Sequence, residues 1–157
     1  MTDADRHQAS LMDPAEGCLG FALNKAARSV TRYYNDALAG AGMTITQFTL
    51  LTVVQRTGPT TIAAIAARTG TDATTLSRNL GILAKAGLVR MTPGEDRRER
   101  QVSSTRKGSD RLKHAHELWQ GAQGRLLKGL GESKARQVLA LLSGLPGSLD
   151  SLTVTKG

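Results

Sequence analysis

The segment from Thr60 to Lys107 limits the possible folds most strongly, because its pattern changes from helical to extended within a short length. Two runs with apolar residues at helical spacing are separated by a turn at Thr69-Gly70-Thr71. Asp72 is placed to cap the second helix, which continues to about Ala86 before Gly87 ends it. Two extended segments follow and enclose a charged loop that contains glycine. This order predicts a helix-turn-helix followed by a β-hairpin.

The second of these helices has one apolar face and one polar, basic face. Leu76, Leu80 and Leu83 share one side of the helix, and polar residues occupy the other side near its N-terminus. Arg can bind guanine through two hydrogen bonds and Thr offers a hydroxyl and a methyl group, so this face suits the major groove of DNA. The alternative is an ordinary amphipathic helix with a solvated outer face. The predicted DNA-contacting residues of this helix are Thr74, Thr75, Ser77 and Arg78.

The hairpin loop carries a second concentration of charge. Like charges placed this close repel one another unless a polyanion is bound, and an Arg at the tip of a hairpin can enter the negative minor groove. Asp96 cannot contact phosphate favourably, so we expect it to pair with a neighbouring Arg and hold the loop in shape. A solvated charged loop is the alternative. The predicted DNA-contacting residues of the hairpin are Asp96, Arg97, Arg98 and Arg100.

The overall charge agrees with a nucleic-acid partner. The chain has 21 Lys and Arg against 13 Asp and Glu, which gives a formal charge of +8 and a sequence pI near 10.3. Charge alone also promotes solubility and non-specific adhesion, so it does not decide between specific and non-specific binding. A length of 157 residues, 39% of them hydrophobic, fits one folded domain or a domain with a dimerisation appendage.

The composition predicts a soluble, cytoplasmic protein without a membrane segment. Cys18 is the only cysteine, so no disulfide forms within the chain. The N-terminus lacks the apolar stretch of a signal peptide, and no apolar run approaches the ~20 residues that span a bilayer. Residues 1–17 are expected to form a polar arm.

Apolar stripes on the terminal helices predict a dimer. One helix is expected from Cys18 to about Ala39, another after Gly108, and a last one from Ser133 with a break or kink at Pro146-Gly147. Thr46 is the expected N-cap of the helix that follows the first. The first and last helices either pack against each other in a monomeric bundle or interleave with a second copy, and the leucine-rich C-terminus favours the second copy.

The residues resemble the MarR family of winged helix-turn-helix regulators. The resemblance lies in the runs Ile65–Gly70, Asp72–Leu83 and Lys85–Arg90. Glu95–Arg98 is similar to the wing motif of that family, and Ser104–Gly108 to the motif that opens its fifth helix, with Ser104 in place of the usual Leu.

The resemblance implies a mainly α fold with a small β-hairpin wing, in which a winged helix-turn-helix domain joins a helical dimerisation region. DNA binding is assigned to residues 46–105, and dimerisation to residues 18–45 and 106–157. The partners are then double-stranded DNA, a second copy and a small-molecule effector, with no cofactor. Family members commonly bind a small aromatic acid. The candidate pocket residues are Phe21, Tyr33, Tyr34, Phe48 and Trp119, and simple core packing is the alternative for them.

Cys18 offers a different mode of regulation. It lies near the start of the first helix, where the positive end of the helix dipole favours a reactive thiolate. The run Cys18–Leu23 resembles the branch of the family that senses organic hydroperoxides, but the cysteine of that branch directly precedes Phe-Ala-Leu, where this chain has Gly20. Thiol-based sensing is therefore an alternative.

Two further classes of protein compete with a specific regulator. An enzyme needs a nucleophile beside a base, paired carboxylates, a metal or a phosphate-binding loop, and none of these is recognisable around the three histidines. His114 and His116 are two residues apart on a helix and face different ways, so no metal site is predicted. A non-specific nucleic-acid-binding protein would share the charge without reading bases.

Overall fold

A computed structural model of the chain describes residues 12–14, 17–94 and 99–150. In this part of the chain six α-helices accompany a sheet of three short strands, which confirms the predicted mainly helical fold with a small β-hairpin. The elements in chain order are α1 (Leu19–Leu38), a 3-10 turn (Ala39–Ala41), α2 (Ile45–Thr57), β1 (Thr60–Thr61), α3 (Ile62–Thr69), α4 (Ala73–Lys85), β2 (Val89–Pro93), β3 (Arg100–Ser104), α5 (Arg106–Leu130) and α6 (Glu132–Asp150).

Helix α2 begins two residues earlier than the sequence predicted. Its N-cap is Thr44, whose hydroxyl accepts a hydrogen bond from the main-chain N–H of Gln47 at 3.2 Å. The Gln47 side chain accepts in return from the main-chain N–H of Thr44 at 2.9 Å. This reciprocal capping box satisfies two N–H groups that would otherwise lack partners, so the prediction that Thr46 caps the helix is wrong.

The sheet is antiparallel, with strand order β1-β3-β2. Strands β2 and β3 form the predicted hairpin, in which Val89 lies opposite Ser104 and Pro93 opposite Arg100. Strand β1 was not predicted, because its two residues are too few to show an alternating pattern. Its pairing of Thr60 with Val102 places the start of α3 beside the hairpin.

The chain forms two compact units, one to Trp119 and one from Gln120. In the first unit the core is formed mainly by buried side chains of α2, α3, α4 and β3. Burial of three leucines on α4 removes one side of this helix from solvent, which orients its other side outward. The largest fully buried side chains of the core are Leu38, Leu51, Val54, Ile65, Leu76, Leu80, Leu83 and Val102.

The two C-terminal helices are more regular than the sequence predicted. Helix α5 begins at Arg106, before Gly108, and it continues through three further glycines to Leu130. The sequence predicted a break or a kink at Pro146-Gly147. Helix α6 continues past Pro146 to Asp150, so the helix does not break there, and a kink stays a prediction. Proline removes one main-chain hydrogen bond at this position without ending the helix.

Among the described residues, no single helix is both long and apolar enough to cross a bilayer. Helices α1 and α2 meet that requirement only when taken together, by length and composition, and they are bent by 69° at their junction. Core helices of soluble proteins pass the same test, and α2 contributes four buried residues to the core.

Candidate nucleic-acid interface

The first turn of α4 is fixed by Asp72. The Asp72 carboxylate accepts a hydrogen bond from the main-chain N–H of Thr75 at 2.9 Å. Hydrogen bonds from the main chain of Thr75, and then from its side chain, hold the pKa of Asp72 below its ordinary value. A charged cap therefore holds the backbone in the turn where Thr74 and Thr75 are displayed.

The polar face of α4 is open to solvent. Thr74, Thr75, Ser77 and Arg78 are all exposed, whereas Leu76 between them is fully buried. The four candidate residues therefore lie together on the outer side of one helix. Such a side can enter a groove of DNA without any change in the core.

The turn before α4 sets how α3 and α4 meet. Gly70 ends α3 with a φ of 63°, a left-handed conformation that favours glycine. Ile65 of α3 is fully buried in the same core as Leu76 and Leu80 of α4. This arrangement of two short helices around a glycine turn is the predicted helix-turn-helix.

The hairpin β2–β3, which we call the wing, places Arg100 at the start of β3 with its side chain exposed. The main-chain N–H of Gly94 donates to the carbonyl oxygen of Glu99 at 2.8 Å, and this bond closes the base of the loop. Asp96, Arg97 and Arg98 lie outside the described residues.

Hydrogen bonds that the sequence did not predict join the start of α5 to the residues that follow α4. The Thr105 hydroxyl donates to the carbonyl oxygen of Gly87 at 2.7 Å and accepts from the main-chain N–H of Gly108 at 3.0 Å. The Lys107 ammonium donates to the carbonyl oxygen of Ala86 at 2.8 Å. Thr105, whose hydroxyl caps the main-chain N–H of Gly108, and Lys107 are visible in the sequence as a local signal that was not used. Their carbonyl partners lie 18 and 21 residues away along the chain, so the sequence does not indicate these contacts.

The five aromatic candidates for an effector pocket lie in different surroundings. Phe48 is buried and stacks on Trp119, with ring centroids 5.8 Å apart. It also stacks on His116, which was not among the candidate pocket residues. Tyr33 and Tyr34 meet edge to face at 5.4 Å.

Tyr34 is buried, whereas Phe21 on α1 is 52% exposed. Burial, and then the neighbouring Tyr33, raise the pKa of Tyr34. Phe48 therefore contacts the rings of Trp119 and His116, the two tyrosines contact each other, and Phe21 is open to solvent.

Cys18 occupies the N-cap position of α1 and is exposed with a free thiol. Its side chain makes no capping hydrogen bond. Within residues 12–14, 17–94 and 99–150, no group of three His, Cys, Asp or Glu side chains is arranged to hold a metal ion.

Residues 41–99 match a sequence model described as the MarR family. This stretch contains α2, α3, α4 and β2, the elements that form and support the exposed polar face. A comparison with curated protein sequences gave no match.

Three solved structures illustrate the similarity of the fold. The transcriptional regulator MosR of M. tuberculosis, in complex with DNA, is 34% identical with a TM-score of 0.75, over 84% of this chain and 98% of that one. The transcriptional repressor CouR, bound to a 23-mer DNA duplex, is 26% identical with a TM-score of 0.77, over 86% and 96%. A mutant of MarR from E. coli, complexed with operator DNA, is 24% identical with a TM-score of 0.73, over 81% and 92%, and shows the fold alone.

Proposed function

We propose, since the chain belongs to the MarR family of DNA-binding transcriptional regulators, that it is a repressor that binds a pseudo-palindromic operator as a homodimer. Members of this family are non-enzymatic DNA-binding proteins, so a small enzyme is no longer an alternative. In this proposal residues 46–105 bind DNA, and residues 18–45 and 106–157 form the dimer. The expected place of action is the cytoplasm.

The exposed polar face of α4 is the observation that carries the proposal. Helix α4 buries Leu76 and Leu80 completely. Its opposite side is exposed and could contact DNA without refolding of the domain. The residues of this side are Thr74, Thr75, Ser77 and Arg78. In the proposed complex Arg78 reads a base edge, and the shorter polar residues contact bases or phosphates. The N-terminal end of the helix dipole favours the nearby phosphates.

The wing is proposed as the second contact. Strand β3 places Arg100 beside the loop. Arg97 and Arg98 belong to the loop by sequence, and they are proposed to enter or flank the minor groove. Asp96 is proposed to brace this loop by pairing with an Arg.

An Arg98→Ala variant is expected to lower operator affinity with little effect on the fold. An unchanged operator affinity would remove the wing from the proposed interface.

The homodimer is supported by apolar surface on the terminal helices. Leu19, Phe21 and Val30 of α1 are exposed, as are five large apolar residues of α6. Exposed apolar patches of this kind mark surfaces that bind another protein. A second copy would cover them and set two α4 helices about one DNA turn, ~34 Å, apart. The apolar residues of α6 are Val138, Leu139, Leu141, Leu142 and Leu149.

The repressor role is supported by one relative. CouR is described as a transcriptional repressor and shares 26% of its residues with this chain over 86% of the length. Repression needs only that the dimer occupy the operator and exclude other proteins. A reporter gene placed under the selected operator should therefore rise in expression when the regulator is deleted, and a fall would identify an activator.

Selection of bound fragments from random genomic DNA, followed by affinity measurements with the purified full chain, tests the proposal. A specific regulator should prefer one operator over random DNA by ~10³ or more and should show paired half-sites. A non-specific nucleic-acid-binding protein would recover fragments without a common sequence. That outcome would contradict the proposed regulator, as would a strictly monomeric protein.

Release from the operator has two proposed triggers. The first is a small aromatic ligand, for which the exposed Phe21 and the paired Tyr33 and Tyr34 stay candidate contacts, whereas Phe48 and Trp119 pack in the core. Oxidation of the thiol is the alternative, supported by the exposed position of Cys18 at the start of α1. If a hydroperoxide releases the operator from the native chain and from Cys18→Ser equally, thiol sensing is excluded.

A further inference from the structure

An open cleft of about 390 Å³, which we call the α3–wing cleft, lies between the helix-turn-helix and the base of the wing. Its lining includes Ala73, the first residue of α4, and Glu99 and Arg100, where the wing loop meets β3. Thr61 also lines the cleft, because β1 pairs this residue with Gln101, next to Arg100. The remaining lining residues, all from α3, are Ile62, Ala63 and Ala66.

The position of the α3–wing cleft is informative because of the proposed DNA binding, on which this role rests. In the proposed complex α4 enters a major groove and the wing loop enters the neighbouring minor groove. One phosphodiester strand separates two neighbouring grooves of a duplex. That strand must pass between the first turn of α4 and the base of the wing, and the surface present there is the lining of this cleft.

The helical part of the lining leaves room for a phosphate group. Three of its residues are Ala63, Ala66 and Ala73, whose side chains are single methyl groups. A phosphate can therefore come close to the main chain at the N-terminal ends of α3 and α4. These ends carry partial positive charge and favour an anion.

Two polar residues of the cleft can donate hydrogen bonds to a phosphate. The Thr61 hydroxyl accepts from the main-chain N–H of Ala64 at 3.2 Å, which leaves its own O–H free to donate. The Arg100 side chain is exposed, and a guanidinium has five N–H donors. Threonine and arginine are both common phosphate contacts.

Glu99 does not fit this pattern, because a carboxylate accepts hydrogen bonds and repels a phosphate. Its side chain is exposed and forms no hydrogen bond or ion pair with the part of the chain that the structure describes. Its main chain is held in place, since the N–H of Gly94 donates to the Glu99 carbonyl oxygen at 2.8 Å. A negative charge without a cationic partner in this part of the chain therefore lies beside the path of the strand.

We propose that Glu99 limits the affinity of the protein for duplex DNA by repelling the phosphodiester strand in the α3–wing cleft. The repulsion acts on any sequence, because every duplex has the same phosphates. Glu99 therefore lowers binding to operator and random DNA by the same factor, and base reading by Arg78 is unchanged. Its effect opposes the formal charge of +8, which strengthens binding to all DNA, so the protein leaves the many random sites of a genome more readily.

The test measures the affinity of the full chain for the selected operator and for a random duplex at a series of salt concentrations. Glu99→Gln keeps the size of the side chain and removes its charge, so it should bind both duplexes about three- to tenfold more tightly. The dependence of log affinity on log salt concentration should become steeper by up to ~0.9, because one phosphate is no longer opposed. Glu117→Gln is the same change at an exposed position on α5 outside the cleft, and it should bind as the native chain does.

Arg100→Gln gives a comparison of opposite sign in the same cleft. It should weaken binding to both duplexes and make the salt dependence shallower by ~0.9.

The path of the strand is tested by size instead of charge. Ala63→Leu places a larger side chain in the cleft and should weaken binding to both duplexes. Ala64→Leu makes the same change at an exposed neighbouring position that does not line the cleft, and it should leave both affinities unchanged. All these variants should keep the thermal unfolding midpoint of the native chain to within a few degrees.

Several results would overturn the proposal. Unchanged binding by Glu99→Gln would show that its charge does not face the strand, and weaker binding would make Glu99 a partner of the loop arginines. A gain confined to the operator, or a changed preference at one base pair, would mean that Glu99 contacts a base. Native affinity of Ala63→Leu would show that the strand does not pass through the cleft.

The same measurements separate this role of Glu99 from the proposed function. If the native chain binds a specific operator and Glu99→Gln gains no affinity, only the role of Glu99 is wrong. If the native chain binds no duplex even at low salt, the proposed regulator and the role of Glu99 are both wrong.

Discussion

The α-carbon of Gly108 packs directly against the main-chain carbonyl oxygen of Leu88, so that a Cβ at this position would overlap the oxygen. The same oxygen accepts a hydrogen bond from the main-chain N–H of Thr105 at 3.1 Å. The first turn of α5 is thereby held against the residue that precedes β2, where α4 gives way to the wing. Gly108 belongs to a helix, yet the neighbouring main chain rather than helix propensity decides which residue fits there.

Gly108→Ala should destabilise the fold by about 1–3 kcal/mol, because backbone atoms must move to admit the methyl group. Gly124→Ala on the same helix is the matched control. Among the described residues, no group outside the nearby backbone of its own helix lies within 4 Å of its added Cβ. The higher helix propensity of Ala should therefore stabilise the chain by about 0.5–1 kcal/mol. Urea unfolding of the three proteins measures both effects, and two variants that shift in the same direction would contradict the close approach at Leu88.

The charged cap of α4 should make stability depend on pH in the acid range. The pKa of Asp72 is lowered in the folded state by hydrogen bonds from Thr75, so its contribution is complete above the unfolded pKa and is lost as pH falls through the folded pKa. Asp72→Asn keeps a capping oxygen and removes the titration. The difference in unfolding free energy between the native chain and Asp72→Asn should be constant at neutral pH and should shrink below about pH 4.

Denaturant unfolding at a series of pH values measures this difference. Asp72→Ala removes the cap as well and should be less stable than Asp72→Asn at every pH. A difference between the native chain and Asp72→Asn that does not change down to the lowest accessible pH would show that the cap is not charge-dependent.

Local signals explain why some elements were predicted correctly and others were not. Helix α4 has its cap at Asp72 and its apolar spacing within one segment, and both were read from the sequence. The capping box of α2 was missed because a Thr at position 46 competes with Thr44, and only Gln47 at the third helical position distinguishes them.

Contacts between distant segments carried no such signal. Strand β1 exists because Thr60 and Thr61 meet Val102 and Gln101, about 40 residues later. Likewise, the hydrogen bonds of Thr105 and Lys107 reach carbonyl groups of Gly87 and Ala86, which become neighbours only when the core forms.

Arg78 should carry part of the sequence preference. Arg78→Ala removes an exposed guanidinium from α4 and is expected to weaken operator binding by about 1–3 kcal/mol and to relax preference at one base pair. Lys113→Ala changes net charge equally on α5 and serves as control. Titration of operator and random duplexes at the same salt concentration distinguishes the roles, because an equal loss on both duplexes would make Arg78 a phosphate contact.

The dimer should depend on the exposed apolar residues of α6. Val138 and Leu142 are 47% and 45% exposed and lie one helical turn apart, so a second copy that covers one would cover the other. Replacing both with Asp places two charges in the proposed interface and should yield monomers by light scattering, with helix content retained. The monomer should also bind a full operator more weakly, because the two half-sites no longer act together. Ser143→Asp adds a charge at an exposed polar position of the same helix and should leave the dimer intact. A Val138→Asp, Leu142→Asp double variant that remains dimeric would move the interface away from this face of α6.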